Sequence, residues 1–476
     1  MAFLRSALAA AVTAAVVLAP LPARAGTSAP LPARAGTSAS LPAHAGTNAP
    51  QWTPCAGTDI GTECATLTLP VDWSRPDGPT FGFAVARHRA DPAVRAGTLV
   101  FGPGGPGDSG VARLTTAQQI DRFSDELLRR FDIVSFDPRG VGGSHAMPCP
   151  TGVSPVVTSQ TEFTTLRAAN RAAWEDCRDR YGELWDHADT ASTVRDLDAL
   201  RAALGESRLT FHGSSYGTLL GEQYAERYPG RVRALVLESA VDHSRDTKGF
   251  LTSQAWALQD SFDAFARWCA GAEACALHGQ DVHAVWARIN ARADRGGLQG
   301  WSVWDLTINA HARLYSPSYA DLATTIDNLD RNLPADKRGA PPMVTPVMCA
   351  DWALPVRDFA EYDRLLRQSR TRDFRYSAGV FAISSCLGWD LPVANPQHRL
   401  DVHTRTPVLQ LGARHDPAVG WNWTRSVARQ LGRSGVLLTY AGAGHGTYKR
   451  ACVAAAVDAY LLDLTVPPRG SVCPAE

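Results

Sequence analysis

Leu209–Gly221 reads LTFHGSSYGTLLG. Leu209-Thr210-Phe211 is a short apolar run of the kind that forms a buried strand, and Thr218 onward carries apolar residues at helical spacing. Between them, Gly213-Ser214-Ser215-Tyr216-Gly217 fits G-x-S-x-G. Strand, sharp turn and helix in that order are the setting in which this motif presents a serine nucleophile above a sheet. The turn strains its central residue, which is tolerable only where the flanking residues carry no side chain to clash. Alone the motif is cheap, because an ordinary loop of glycine and serine would match it as well. The flanking chain decides between the two.

Upstream, Cys64–Leu69 and Thr80–Val85 are alternating runs separated by the turn Arg75-Pro76-Asp77-Gly78, an antiparallel entry to a sheet. Thr98–Phe101 is a buried-strand run that enters Gly102-Pro103-Gly104-Gly105-Pro106-Gly107, where backbone N–H groups can approach a ligand closely. Phe131–Phe136 is a further strand, ending in Asp137-Pro138-Arg139-Gly140. Helical spacing follows over Glu162–Tyr181 and Thr190–Leu204, then the strand Val232–Leu237. Strand–helix alternation predicts an α/β fold with a mostly parallel sheet covered on both faces. From 243 to 400 the alternation stops in a helix-rich, tryptophan-rich segment, which predicts an insertion lying over the sheet. It resumes with the strand Thr406–Leu411, a helix at Thr424–Leu431, the strand Val436–Tyr440 and a last helix at Cys452–Leu462. The expected organisation is therefore 51–242 and 401–476 as one core, with 243–400 inserted.

The chain has 476 residues, enough for one large domain with an insertion. Its 47 basic and 47 acidic residues balance without a basic stripe, which argues against a nucleic-acid partner. Arg5, the apolar run Ala7–Ala19 and Ala23-Arg24-Ala25 before Gly26 form an export signal over 1–25. That run is too short for a membrane span, and no later run is apolar enough for one. Residues 21–50 hold three copies of a decamer rich in Ala, Pro, Gly and Thr, so 26–50 is expected to be a flexible leader. Each copy carries its own Ala-x-Ala-Gly, so Ala35 and Ala45 are alternative cleavage points.

Ten cysteines in an exported chain predict disulfides rather than metal ligands. The local spacings favour Cys55–Cys64, Cys149–Cys177, Cys269–Cys275, Cys349–Cys386 and Cys452–Cys473. None forms C-x-x-C, no zinc spacing occurs, and the glycine loop lacks the Gly-Lys-Ser/Thr of a phosphate loop. No metal or cofactor is implied.

A serine hydroxyl needs a base to take its proton, and the base needs a third group to hold its tautomer. In this kind of sheet the chain order is Ser, acid, His. Asp416 follows the strand ending at Leu411, and His445 follows the strand ending at Tyr440 in a loop of small residues, Ala441–Gly446. Ser215, Asp416 and His445 are the candidate catalytic set, with Asp242 a rival acid and His212 a rival base. An oxyanion needs two donors. The N–H of Tyr216 is one; Gly105, or next Gly104, supplies the other.

With these motifs in hand, the chain resembles the α/β-hydrolase fold. Within it, the resemblance is to secreted tripeptidyl aminopeptidases of actinomycetes, relatives of proline iminopeptidase. The resemblance is carried by Trp52–Cys55, Leu69–Trp73, Gly104–Gly107, Asp137–Ser144, Gly213–Gly217, Cys349–Trp352, Asp416-Pro417 and Gly444–Gly446. It implies a helical cap over 243–400 and release of short peptides from substrates with a free N-terminus, outside the cell. An exopeptidase needs a carboxylate for the substrate's ammonium, and Glu238 and Asp351 are the candidates. The chain departs from proline iminopeptidases at Pro103, where they have His, and at Glu238-Ser239, where Asp-Gly is more usual. Two other readings stay open: a carboxylesterase with the same triad, and a binding protein that keeps the fold without turnover.

Overall fold

The computed structural model describes residues 49–58, 60–149, 156–339 and 345–476. The signal segment, its three cleavage points and nearly all of the decamer leader lie outside the described residues.

Ten strands form one sheet: β1 (Thr53–Pro54), β2 (Thr62–Pro70), β3 (Thr80–His88), β4 (Gly97–Gly102), β5 (Phe131–Phe136), β6 (Leu209–Ser214), β7 (Val232–Glu238), β8 (Val408–His415), β9 (Gly435–Ala443) and β10 (Val472–Cys473). Their spatial order is β1-β2-β3-β5-β4-β6-β7-β8-β9-β10. Pairing is antiparallel from β1 to β5 and parallel from β5 onward. β4 and β5 are buried along their whole length, as strands covered on both faces must be. Alternate residues feed opposite cores: Val100, Phe211, Leu235 and Leu237 on one face, Leu99, Phe101, Val236 and Leu409 on the other.

The chain leaves β4 for β5 on one side and reaches β6 on the other. This reversal opens a crevice at the carboxyl ends of the strands. Gly102 pairs with Gly213, so the glycine loop and the serine turn emerge side by side.

β8 and β9 run farther than their apolar cores suggest, to His415 and Ala443. They remain paired past an irregularity at Ala413/His415, so Asp416 and Gly444 leave adjacent strand ends. The two short edge strands lie beside disulfides, β1 next to Cys55–Cys64 and β10 at Cys452–Cys473. All five disulfides join the sequential partners that the spacings favour.

Between β7 and β8 the described residues form helices only, among them Thr247–Gly271, Val282–Asp294, Val303–Tyr315 and Tyr319–Asp330. Several start on side-chain caps: Asp246 accepts from Gly249 N, and Ser302 with Asp305 forms a capping box. These helices bury a core of their own around Leu258, Phe262, Trp286, Ile289 and Ile326. Trp352 and Trp389 pack instead toward the sheet, Trp389 against Trp174 and Trp185.

Candidate active site

Ser215 sits between β6 and the helix Tyr216–Arg227 with φ 55° and ψ −124°, a conformation costly for any residue with a Cβ. Its neighbours explain how the chain tolerates it. A Cβ on Gly213 would lie 2.4 Å from the Gly217 carbonyl oxygen, and one on Gly217 would lie 2.3 Å from that of Gly102. Only glycine permits turn, helix and glycine loop to close together. The Ser215 N–H donates to the Glu238 carbonyl at 2.9 Å, fastening the turn to β7.

Asp416 is buried and its carboxylate is fully engaged. It accepts from Ala418 N and Val419 N, both at 2.9 Å, and from the Ser239 hydroxyl at 2.9 Å. The fourth partner is His445, whose Nδ1 lies 2.9 and 3.0 Å from the two oxygens. Donation from Nδ1–H leaves the Nε2 lone pair as the basic position, and Nε2 is buried without a protein partner. Burial pushes the His445 pKa down, but the Asp416 charge and hydrogen bond, with the charges of Glu238 and Asp108, together outweigh it, and the net shift is upward. No hydrogen bond joins Ser215 to His445 among the described contacts; such bonds often tighten only when substrate arrives.

The helical insertion grips the histidine loop. The His445 N–H donates to the Tyr315 carbonyl at 2.8 Å, and the Tyr315 ring lies 4.4 Å from the imidazole. Gly444 has φ 111°, and a Cβ there would meet Pro317 at 2.7 Å. His311, on the same helix as Tyr315, is pushed down to about 4 by burial and by the nearby His445, so it adds no positive charge beside that imidazole.

Tyr216 N occupies the first position of its helix, where N–H groups lack an intrahelical acceptor. Gly104 lies against Ser215: a Cβ there would be 3.4 Å from Ser215 Cβ. Gly105 has φ 106° and turns the loop back toward Gly107 and Asp108.

The structure does not bring Glu238 or Asp351 to an open surface. Glu238 is buried, and its oxygens accept from Thr447 N at 2.6 Å, Tyr448 N at 2.7 Å and Arg122 at 2.7 Å, with His212 at 3.1 Å. Despite burial, Arg122 and His212 hold it well below the usual carboxylate range. It anchors the segment after His445. Asp351 is also buried, accepting from Thr190 N at 2.9 Å, the Thr190 hydroxyl, Asn395 at 3.1 Å and the Tyr216 hydroxyl at 3.5 Å. In this conformation neither carboxylate has room for a substrate ammonium. The sequence offered no sign of this, because their partners come from distant segments.

The rivals lie elsewhere. His212 is buried beneath Glu238, and Asp242 binds Arg245, Ser244 and Gln430. Asp137 ties its own loop to the start of the helix after the glycine loop, through Ser109 and Val111. Ser239, which sequence reasoning passed over, has φ 57° and bridges Asp416 to Gly446 N. Its signal was the departure from Asp-Gly at that point. Among the described residues, two clusters have atoms close enough to share a metal ion, Asp72/Glu183/His187 and Asp263/His283/Asp373. Arginines already pair with both, Arg75 with the first and Arg372 with the second.

The family described as alpha/beta hydrolase fold matches residues 97–449. Serine protease Hip1 of Mycobacterium tuberculosis is 31% identical over 477 residues, covering 89% of this chain and 90% of Hip1. A tripeptidyl aminopeptidase of Streptomyces lividans is 29% identical, covering 86% and 83% of the two chains. Carboxylesterase B of M. tuberculosis is 30% identical, covering 86% of each.

Proposed function

Because this chain belongs to the α/β-hydrolase fold family and is a serine hydrolase with peptidase relatives, we propose that it is a secreted exopeptidase. It releases di- or tripeptides from free N-termini through an acyl-enzyme. The observations that carry the reading are the strained, glycine-flanked Ser215 at the end of β6 and the Asp416–His445 pair at the ends of β8 and β9, with both the serine turn and the segment after His445 fastened to Glu238 of β7.

His445 Nε2 takes the proton of Ser215 as Oγ attacks the scissile carbonyl. The oxyanion is met by Tyr216 N–H and by an N–H of the glycine loop, Gly105 or Gly104. The imidazolium, steadied by Asp416, then gives its proton to the leaving amine as the C–N bond breaks. Water enters, His445 takes one of its protons, and hydroxide attack on the acyl carbon releases the peptide and restores Ser215. The helices of 243–400 act as a cap that fixes the His445 loop through Tyr315 and limits the cleft. Five disulfides support an extracellular setting, and no described helix is long and apolar enough to cross a membrane.

A chromogenic Ala-Pro-Ala anilide, its N-acetyl form and a p-nitrophenyl butyrate test the reading. The free-amine peptide is expected to be cleaved, and Ser215→Ala or His445→Ala to abolish turnover in a folded protein. Near-normal activity in either variant would overturn the triad. The esterase relative favours a second reading, a carboxylesterase, which ester turnover with neither peptide touched would select.

A further inference from the structure

With Glu238 and Asp351 closed, the peptidase reading lacks a carboxylate for the substrate's ammonium. Asp108 meets the requirement. It follows the glycine loop directly, its N–H donating to the Gly104 carbonyl at 3.3 Å. Its Oδ2 lies 3.3 Å from the point where a Gly104 Cβ would stand, and that point is 3.4 Å from Ser215 Cβ. These two separations keep Asp108 Oδ2 within about 7 Å of Ser215 Cβ, and Oδ1, on the same carboxylate carbon, within about 9 Å. Its charge is also close enough to act on both His445 and Tyr315.

Asp108 is also open where the other carboxylates of the site are closed. Its side chain is 34% exposed, whereas those of Asp416 and Glu238 are 1% and 0% exposed. Its one ion-pair partner among the described residues is Arg113, on Oδ2, and Arg113 is itself 36% exposed. Oδ1 has no partner among the described hydrogen bonds. A half-exposed pair of this kind is weak, and one carboxylate oxygen remains free to accept.

We propose that Asp108 Oδ1 is the acceptor for a primary ammonium of the substrate, and so the specificity residue of this cleft. The proposal rests on the peptidase reading above and narrows it. A peptide advances about 3.3–3.6 Å per residue, so an ammonium on Asp108 lies up to about three residues before the scissile carbonyl. The ammonium has two possible sources, a free N-terminus or a lysine side chain at the same depth.

The test compares wild type with Asp108→Asn and Asp108→Glu, full length, on four substrates. These are the anilides of Ala-Ala, acetyl-Ala-Ala and acetyl-Lys-Ala, and p-nitrophenyl butyrate. Wild type is expected to favour an ammonium-bearing anilide over acetyl-Ala-Ala at least tenfold in kcat/KM. Asp108→Asn is expected to erase that ratio, mainly through KM, and Asp108→Glu to restore part of it. Ratios taken on one enzyme sample are independent of how much of a variant is folded. Preference for the free N-terminus or for acetyl-Lys-Ala identifies the source, and each supports the proposal. An unchanged ratio in Asp108→Asn overturns it and leaves the peptidase reading standing. Wild type that turns over butyrate and no anilide removes the peptidase reading, and the proposal with it.

Discussion

Asp351→Asn offers a quantitative test of how the insertion is tied to the serine turn. The carboxylate is buried between Thr190, Tyr216 and Asn395, and burial together with the nearby Asp189 outweighs these hydrogen bonds. Its pKa rises from an ordinary 3.8 to about 7. The folded protein therefore holds a proton that the unfolded chain releases near pH 4. The stability linked to that proton is fully present below pH 4 and is lost as pH rises through 7. A shift of about three units corresponds to about 4 kcal/mol, as an order of magnitude. Asparagine keeps the shape without the titration. Denaturant unfolding of both proteins from pH 4 to 8 at constant salt is expected to show wild type losing about 4 kcal/mol relative to the variant. Most of that change falls between pH 4 and 7. Parallel stability profiles would refute the account and mean that Asp351 is ionised throughout.

Four other outcomes follow from the site. His445 must be neutral to act as base and its pKa is raised, so kcat/KM is expected to fall on the acid side with a midpoint above 6.5. Asp416→Asn is expected to move that midpoint down in a pH–rate profile; a midpoint that stays put would remove Asp416 as its cause. Glu238→Gln leaves Arg122 without its partner in a buried setting and is expected to cost about 3–5 kcal/mol. A loss below 1 kcal/mol on denaturant unfolding would contradict that. Ser239→Ala removes the hydroxyl bonded to Asp416 but keeps the strain at φ 57°, whereas Ser239→Gly removes both. The glycine variant is expected to be the more stable by about 1 kcal/mol, measured the same way. The reverse order would mean the backbone there is unstrained.

The parts of the site readable in the sequence share one property: their signals are local. Gly213 and Gly217 flank Ser215 within one turn, β4 to β7 announce themselves as apolar runs, and His445 stands in a loop of small residues. Chain order then supplies Asp416. Short separation also favoured the right cysteine partners, because nearby thiols meet first. The strand ends were less legible. β8 and β9 continue through Gly412–His415 and Ala441–Ala443 because each has the other to pair with, and neither stretch reads as a strand alone.

The roles of the acidic residues were beyond the sequence altogether. Glu238, Asp351 and Asp108 look equally available when read in a line. Burial separates them, and burial depends on which distant segments arrive. Arg122 reaches Glu238 across 116 positions, and Thr190 reaches Asp351 across 161. The same holds for Tyr315, which has no motif and meets His445 only because the insertion folds back on the sheet. Local chemistry in the sequence determined the strands, the serine turn and the order of the catalytic candidates. The tertiary structure alone decided which carboxylates are sealed and which stays partly exposed, since desolvation and pairing belong to the packed chain rather than to any residue in it.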